Sequence, residues 1–249
     1  GRNTRIPRQE RAVPEGEERC IVFLCHLLTP QQLKPCCVRI SQIAIREGPV
    51  PAASHELLDA TNELLAILEE QMQNHPLSLD EKLAEYIFFP LYHIFRQMDQ
   101  YPMLLVEKCV KCLHILITFG WKSKISSKLA QQILSLLVFI IDGVPGSQAT
   151  REVPEETILE TFRAQTALFN TAATSLDAVS GLADQESIPI LGNAITVMLQ
   201  GVTDGANPQI QSEALRSLQG VYSALKEQEA LASFLPGIAS SLTKVLSTP

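Results

Sequence analysis

The chain has 249 residues, of which 46% are hydrophobic and 19% charged, with a formal net charge of -7. That apolar content supports a buried core and excludes disorder over most of the length. The acidic balance excludes a general role in coating phosphate backbones, which needs a net basic footprint, so no nucleic acid is expected as a partner.

Residues 1–20 carry five Arg and four Glu with two Pro and almost no apolar periodicity, and read as a flexible mixed-charge arm. They lack the apolar h-region of a signal peptide, which makes a cytoplasmic location the expectation, with a nuclear one beside it. From Pro30 to Arg46 the positions Leu33, Cys36, Cys37, Ile40, Ile43 and Ala44 recur at helical spacing, and the GPVP segment at 48–51 ends that helix. Ser54 offers an N-cap to a second helix with the stripe Leu57, Leu58, Leu64, Leu65, Leu68 and Met72, stopped by NHP at 74–76.

Ser78 with Glu81 three residues on has the form of a capping box. It opens a helix with Leu83, Tyr86, Ile87, Leu91, Ile94 and Phe95 on its inner face. Pro90 lies inside that pattern and predicts a kink or a break. Helices over about 102–119 and 125–142 follow, separated by a turn at Gly120. The run Ile133–Ile141 is the longest dense apolar stretch, about half of the roughly 20 residues that cross a bilayer, so no membrane partner is expected. Residues 143–155 are a non-periodic gap, read as an inter-repeat loop or hinge between helical repeats at 21–142 and further repeats at 156–249. The last part holds helices over about 155–182 and 187–203 and a closing pair over 208–247, all richer in Ala, Ser and Thr.

That closing pair is two amphipathic helices joined by a polar turn. A weaker copy stands 47 residues upstream, setting Ala167, Leu168, Ile188 and Pro189 against Ala214, Leu215, Leu235 and Pro236. Such a period fits stacked helical hairpins that bury their apolar faces against neighbours. The expected fold is therefore all-α, a HEAT/TPR-like α-solenoid of stacked antiparallel hairpins with about nine helices. The last helix lacks the polar outer face of a capping repeat, which suggests a piece of a longer solenoid.

Chemistry is harder to find. The six cysteines, at 20, 25, 36, 37, 109 and 112, all lie in the first half, the wrong distribution for a disulfide framework. Cys109 and Cys112 form a CVKC, but structural zinc needs four converging ligands and no second pair is present, so packed thiols are the better reading than a metal or redox centre. His93 and His114 have no carboxylate at i+3 or i+4 to orient them as bases. No phosphate-loop, dinucleotide, nucleophile-elbow or zinc-protease motif occurs. No enzyme and no cofactor is expected. Lys108, Lys111, Lys122, Lys124 and Lys128 form the one basic cluster, a candidate dock for an acidic partner segment or else a solvated edge.

The stretch LDEKLAEYIFFPLYHIFRQ at 79–97, with LKPCCVRISQIAI upstream and VEKCVKCLHILITFGW downstream, resembles the N-terminal region of the Tti family. Tyr86, Phe88, Phe89, Pro90 and Leu91 match its apolar core, and Gly120 and Trp121 match its Gly-Trp turn. The resemblance covers about 33–142. It implies a hetero-oligomeric helical-repeat scaffold of the TTT (Tel-Tti-Tti) cochaperone complex. The implied partners are the other TTT subunits, Hsp-ninety, R-two-TP and phosphatidylinositol-kinase-related kinases of the TOR, ATM and ATR type. An adaptor or transport solenoid that binds peptide segments is the alternative.

Overall fold

Apolar residues at helical spacing leave each helix with a face it cannot bury alone, and stacking is the answer the chain adopts. The computed structural model describes residues 31–46, 50–147, 152–203 and 207–247, and among these it holds eleven α-helices and no strand. In chain order they are α1 (residues 31–44), α2 (Val50–Asn74), α3 (Glu81–Phe95), α4 (Met103–Ile115), α5 (Ser127–Asp142) and α6 (Glu155–Ala172). The rest are α7 (Leu176–Ala183), α8 (Ile188–Thr203), α9 (Pro208–Leu225), α10 (Glu229–Ala232) and α11 (Leu235–Ser247). The expectation of about nine helices undercounts, because helical spacing alone merges short α7 and α10 into longer elements. The arm at 1–20 lies outside the described residues.

Two layers result. In one, α2 packs on α4, α4 on α6 and α6 on α9; in the other, α5 packs on α7 and α8, and α8 on α11. The layers meet where α5 touches α6 and α8 touches α9. Gln71 reaches Gln32 at 2.9 Å and Arg39 reaches Glu63 at 3.4 Å, which sets α1 antiparallel to α2. Helices within a layer run parallel: Asn207 bonds Glu155 at 2.7 Å, and further along Ser217 lies 2.9 Å from Thr166. One continuous core runs from Leu33 on α1 to Leu231 on α10.

Several local expectations are corrected. Ser54 lies inside α2, which starts at Val50; Pro51 fits in its first turn, where an N–H would have no helical partner anyway. The N-cap of α3 is Asp80, whose carboxylate accepts from the Leu83 N–H at 2.8 Å, while Ser78 is buried. A charged acceptor at that end also meets the helix dipole. The helix runs unbroken through Pro90, which leaves the Tyr86 carbonyl without an N–H donor four residues on. Tyr86 is 40% exposed and is not on the inner face.

Gly120 is not a turn. It sits in a π-helical segment, Leu116–Trp121, that prolongs α4, and a Cβ there would come 2.5 Å from the Ala84 Cβ. The chain reverses instead at Lys122, the only described non-glycine residue with positive φ, at 47°. The helix expected over 155–182 is two: after Ala172 the chain turns, and Ser175 caps α7 by accepting from the Ala178 N–H at 3.3 Å. The Ser175 hydroxyl also donates to the Ile125 carbonyl at 3.2 Å, pinning the break to the preceding repeat.

The 47-residue period holds for one layer only. α11 starts at Leu235, 47 positions after Ile188 of α8, but α9 starts at Pro208, 53 positions after Glu155 of α6. Eight-residue α7 and four-residue α10 absorb much of the difference. Leu168 is accordingly fully buried while Leu215 is 49% exposed. No helix among the described residues is long and apolar enough to cross a membrane.

Candidate functional site

The apolar motif at 86–91 with Gly120 and Trp121 is a packing joint. Phe88 meets Trp121 edge to face, with ring centroids 5.5 Å apart and planes at 87°, a favoured aromatic geometry. Pro90 and Leu91 are buried beside it, and Gly120 lets α3 approach the π segment at Ala84. Tyr86 and Phe89 point outward, at 40% and 56% exposure, with Phe89 packed edge-on against His93.

The basic cluster is divided among different partners. Lys111 is held 3.1 Å from Glu107 and 3.3 Å from Glu156, and those carboxylates raise its pKa against the opposing effect of burial. Lys108 lies 3.6 Å from Glu107, and Lys124 lies 3.8 Å from Glu81. Lys122 and Lys128 are exposed and pair with no carboxylate among the described residues. Cys36, Cys37, Cys109 and Cys112 are buried free thiols. Burial pushes all four pKa values up, Cys37 to about 12, which leaves them protonated and poor ligands or nucleophiles at neutral pH. Among the described residues no group of three or more His, Cys, Asp or Glu could hold a metal.

A concavity of about 750 Å³ lies elsewhere, across the layer formed by α4, α6 and α9. Its floor is one stripe of α6, in which Arg163, Thr166, Ala167, Asn170 and Thr171 recur at the three- and four-residue spacing that keeps side chains on one helical face, continued by Thr174 in the turn after the helix. His114 and Thr118 with Lys122 form the wall toward α4, and Glu213 with Arg216 form the wall toward α9. Small side chains in the floor are what leave the space open.

Charge crosses the groove as a ladder. Arg163 bonds Glu160 at 2.6 Å and comes 3.8 Å from Glu213, which in turn holds Arg216 at 2.8 Å. The carboxylates are nearly covered, with side-chain exposures of 9% for Glu160 and 12% for Glu213, whereas Arg216 is 63% exposed. The groove therefore shows solvent mostly its positive members. Burial lowers the His114 pKa, with Arg163 acting in the same direction and Glu160 and Glu213 opposing, so its ring is neutral at pH 7. The floor hydroxyls donate inward: Thr166 to the Phe162 carbonyl at 3.0 Å, Thr171 to Ile117 at 3.4 Å and Thr174 to Thr171 at 2.7 Å. The acceptor lone pairs of Thr171 and Thr174 remain for a ligand, while the Thr166 hydroxyl also lies 2.9 Å from that of Ser217. Asn170 is exposed, and its amide has no partner among the described residues.

Motif and charge reasoning pointed to the aromatic joint and the lysines and missed this groove, apart from Lys122. The available signal was the Thr/Ala/Asn stripe at helical spacing on a helix otherwise buried.

Comparison with known proteins agrees with the architecture. A family model described as the TTI1 N-terminal TPR domain matches residues 31–249. The mouse and human proteins named TELO2-interacting protein 1 homolog are each 24% identical over 238 residues, covering 88% of this chain and 20% of their own length. The chain thus spans about a fifth of the curated relatives it matches. No solved structure matches it.

Proposed function

This chain belongs to the family of TTI1 N-terminal TPR domains, and from that premise we propose that it is a non-catalytic helical-repeat scaffold of a TTT-type cochaperone complex. The observation that carries the reading is the family match across every described helix, on a fold made wholly of stacked helical hairpins. The relatives' name points to a TELO2-type subunit as one partner. Within such a complex the chain would support maturation and stability of phosphatidylinositol-kinase-related kinases alongside Hsp-ninety and R-two-TP, in the cytoplasm and the nucleus. Large client proteins suit a solenoid, whose extended surface offers area without a catalytic pocket.

The mechanism is geometric. Parallel stacking in each layer fixes the spacing of successive helices, and the aromatic joint between α3 and the π segment holds the first repeats rigid. The polar concavity across α4, α6 and α9 then stands at a constant position for contact. Deleting residues 31–249 in the chain's own cells tests the proposal. TOR-, ATM- and ATR-type kinase levels should fall together, and a TELO2-type subunit should no longer co-purify. Unchanged kinase levels with intact co-purification would overturn it.

A further inference from the structure

We propose that the groove across α4, α6 and α9 binds an extended acidic peptide segment, with Lys122 and Arg216 taking carboxylates and Asn170 pairing with the peptide backbone.

Charge sets the chemistry of the ligand. Glu213, the carboxylate in the lining, is already bonded to Arg216 and faced by Arg163, and Glu160 behind it is held by Arg163. Lys122 on the opposite wall is exposed, unpaired and without a compensating acid. An anionic partner gains from both walls, while a cationic one meets Lys122 and Arg216 first. On a chain of net charge -7, this is a local reversal of sign.

Backbone chemistry sets the conformation. The free amide of Asn170 stands mid-floor, with one acceptor and two donor hydrogens. A side-chain amide can bond the N–H and C=O of one peptide unit together, but only when these are not already used. A helical ligand spends them on itself, whereas an extended segment offers them. The small floor residues Ala167, Thr171 and Thr174 let a backbone come close.

Lys122 is also placed at a conformational cost. Its φ of 47° and ψ of -134° lie outside the regions favoured by residues with a Cβ, directly after a π-helical segment. Both features concentrate at functional positions. Here they turn a lysine from the end of α4 into the groove wall.

The test uses the purified chain and fluorescein-labelled peptides (Glu-Gly)4, (Gln-Gly)4 and (Lys-Gly)4, read by fluorescence anisotropy. The acidic peptide should bind roughly tenfold more tightly than the other two, with affinity falling as salt rises. The pair Lys122→Glu with Arg216→Glu should cost about tenfold or more, and Lys122→Gln with Arg216→Gln, which adds no new charge, should cost less. Asn170→Ala should weaken the acidic and the glutamine peptide by the same factor. Lys128→Glu, on an exposed lysine outside the groove, should change nothing. No saturable binding up to about 1 mM, equal binding of the lysine peptide, or a loss with Lys128→Glu as large as with the groove pair would overturn the proposal. None of these outcomes bears on kinase levels or subunit co-purification, so the scaffold reading stands or falls separately.

Discussion

The stack from α2 to α5 and the stack from α6 to α9 join neighbouring helices by different chemistry. In the first, large side chains fill the space: Trp121, Phe95, Phe88 and a dense set of leucines, isoleucines and cysteines are buried together. In the second, Phe162 and Phe169 are equally buried, but helices α6 and α9 are also drawn close by small and polar residues. The Ser217 hydroxyl donates to the Phe162 carbonyl at 2.8 Å and lies 2.9 Å from Thr166, and a Cβ on Gly220 would meet the Phe169 Cβ at 3.3 Å. Hydrophobic filling gives stability per unit area, and hydrogen-bonded close approach gives a defined register with a shallow polar surface beside it. The repeat fold thus keeps one region for packing and offers another for contact.

The sharpest way to break this contrast is to empty the first region. Trp121→Ala should destabilise the chain by about 3–5 kcal/mol, measured by urea unfolding followed by circular dichroism. A cost below about 1 kcal/mol would mean the aromatic joint is not where stability sits. Next in size is overfilling at a close approach. Gly120→Ala would press a Cβ onto Ala84 and should cost about 1–3 kcal/mol. Gly181→Ala should cost at least as much, because the obstacle there includes the backbone of Ser127. Gly237, with open space around it, should accept Ala at no cost of this kind.

Around the groove between α4, α6 and α9 the expected losses are smaller. Ser217→Ala removes the hydroxyl shared between Thr166 and the Phe162 carbonyl and should cost about 1 kcal/mol. The smallest effect belongs to His114. Its folded pKa is lowered, chiefly by burial, so the unfolded chain takes up the proton first as pH falls below the usual histidine value of about 6.5. Stability is full above that pH and declines below it, by under about 1 kcal/mol down to pH 5.5. His114→Gln should remove that increment. Arg163 on α6 acts on the ring in the same direction as burial, and Glu160 on α6 and Glu213 on α9 oppose it.

The same contrast explains what was legible in the sequence. Leu33, Cys36, Cys37, Ile40 and Ile43 recur at helical spacing and all are buried, because large apolar side chains at that spacing announce a buried face. The aromatic motif carried the family resemblance for the same reason. Boundaries set by tertiary contact were not legible. The break between α6 and α7 is pinned by Ser175 bonding Ile125, a residue 50 positions away, and the reversal falls at Lys122, a residue type that does not announce a positive φ. The groove was hidden because its floor is made of Thr, Ala and Asn, which composition reports only as mild polarity. Its concavity exists through the placement of α4 and α9 on either side.

Native-state amide hydrogen exchange across the whole chain tests the contrast most directly, since exchange reports local opening free energy element by element. The account predicts the strongest protection in α4 and α5, intermediate protection in α9, and near-unprotected exchange in α11, none of whose described residues is buried. Equal protection of α11 and α4, or stronger protection in α9 than in α4, would contradict it.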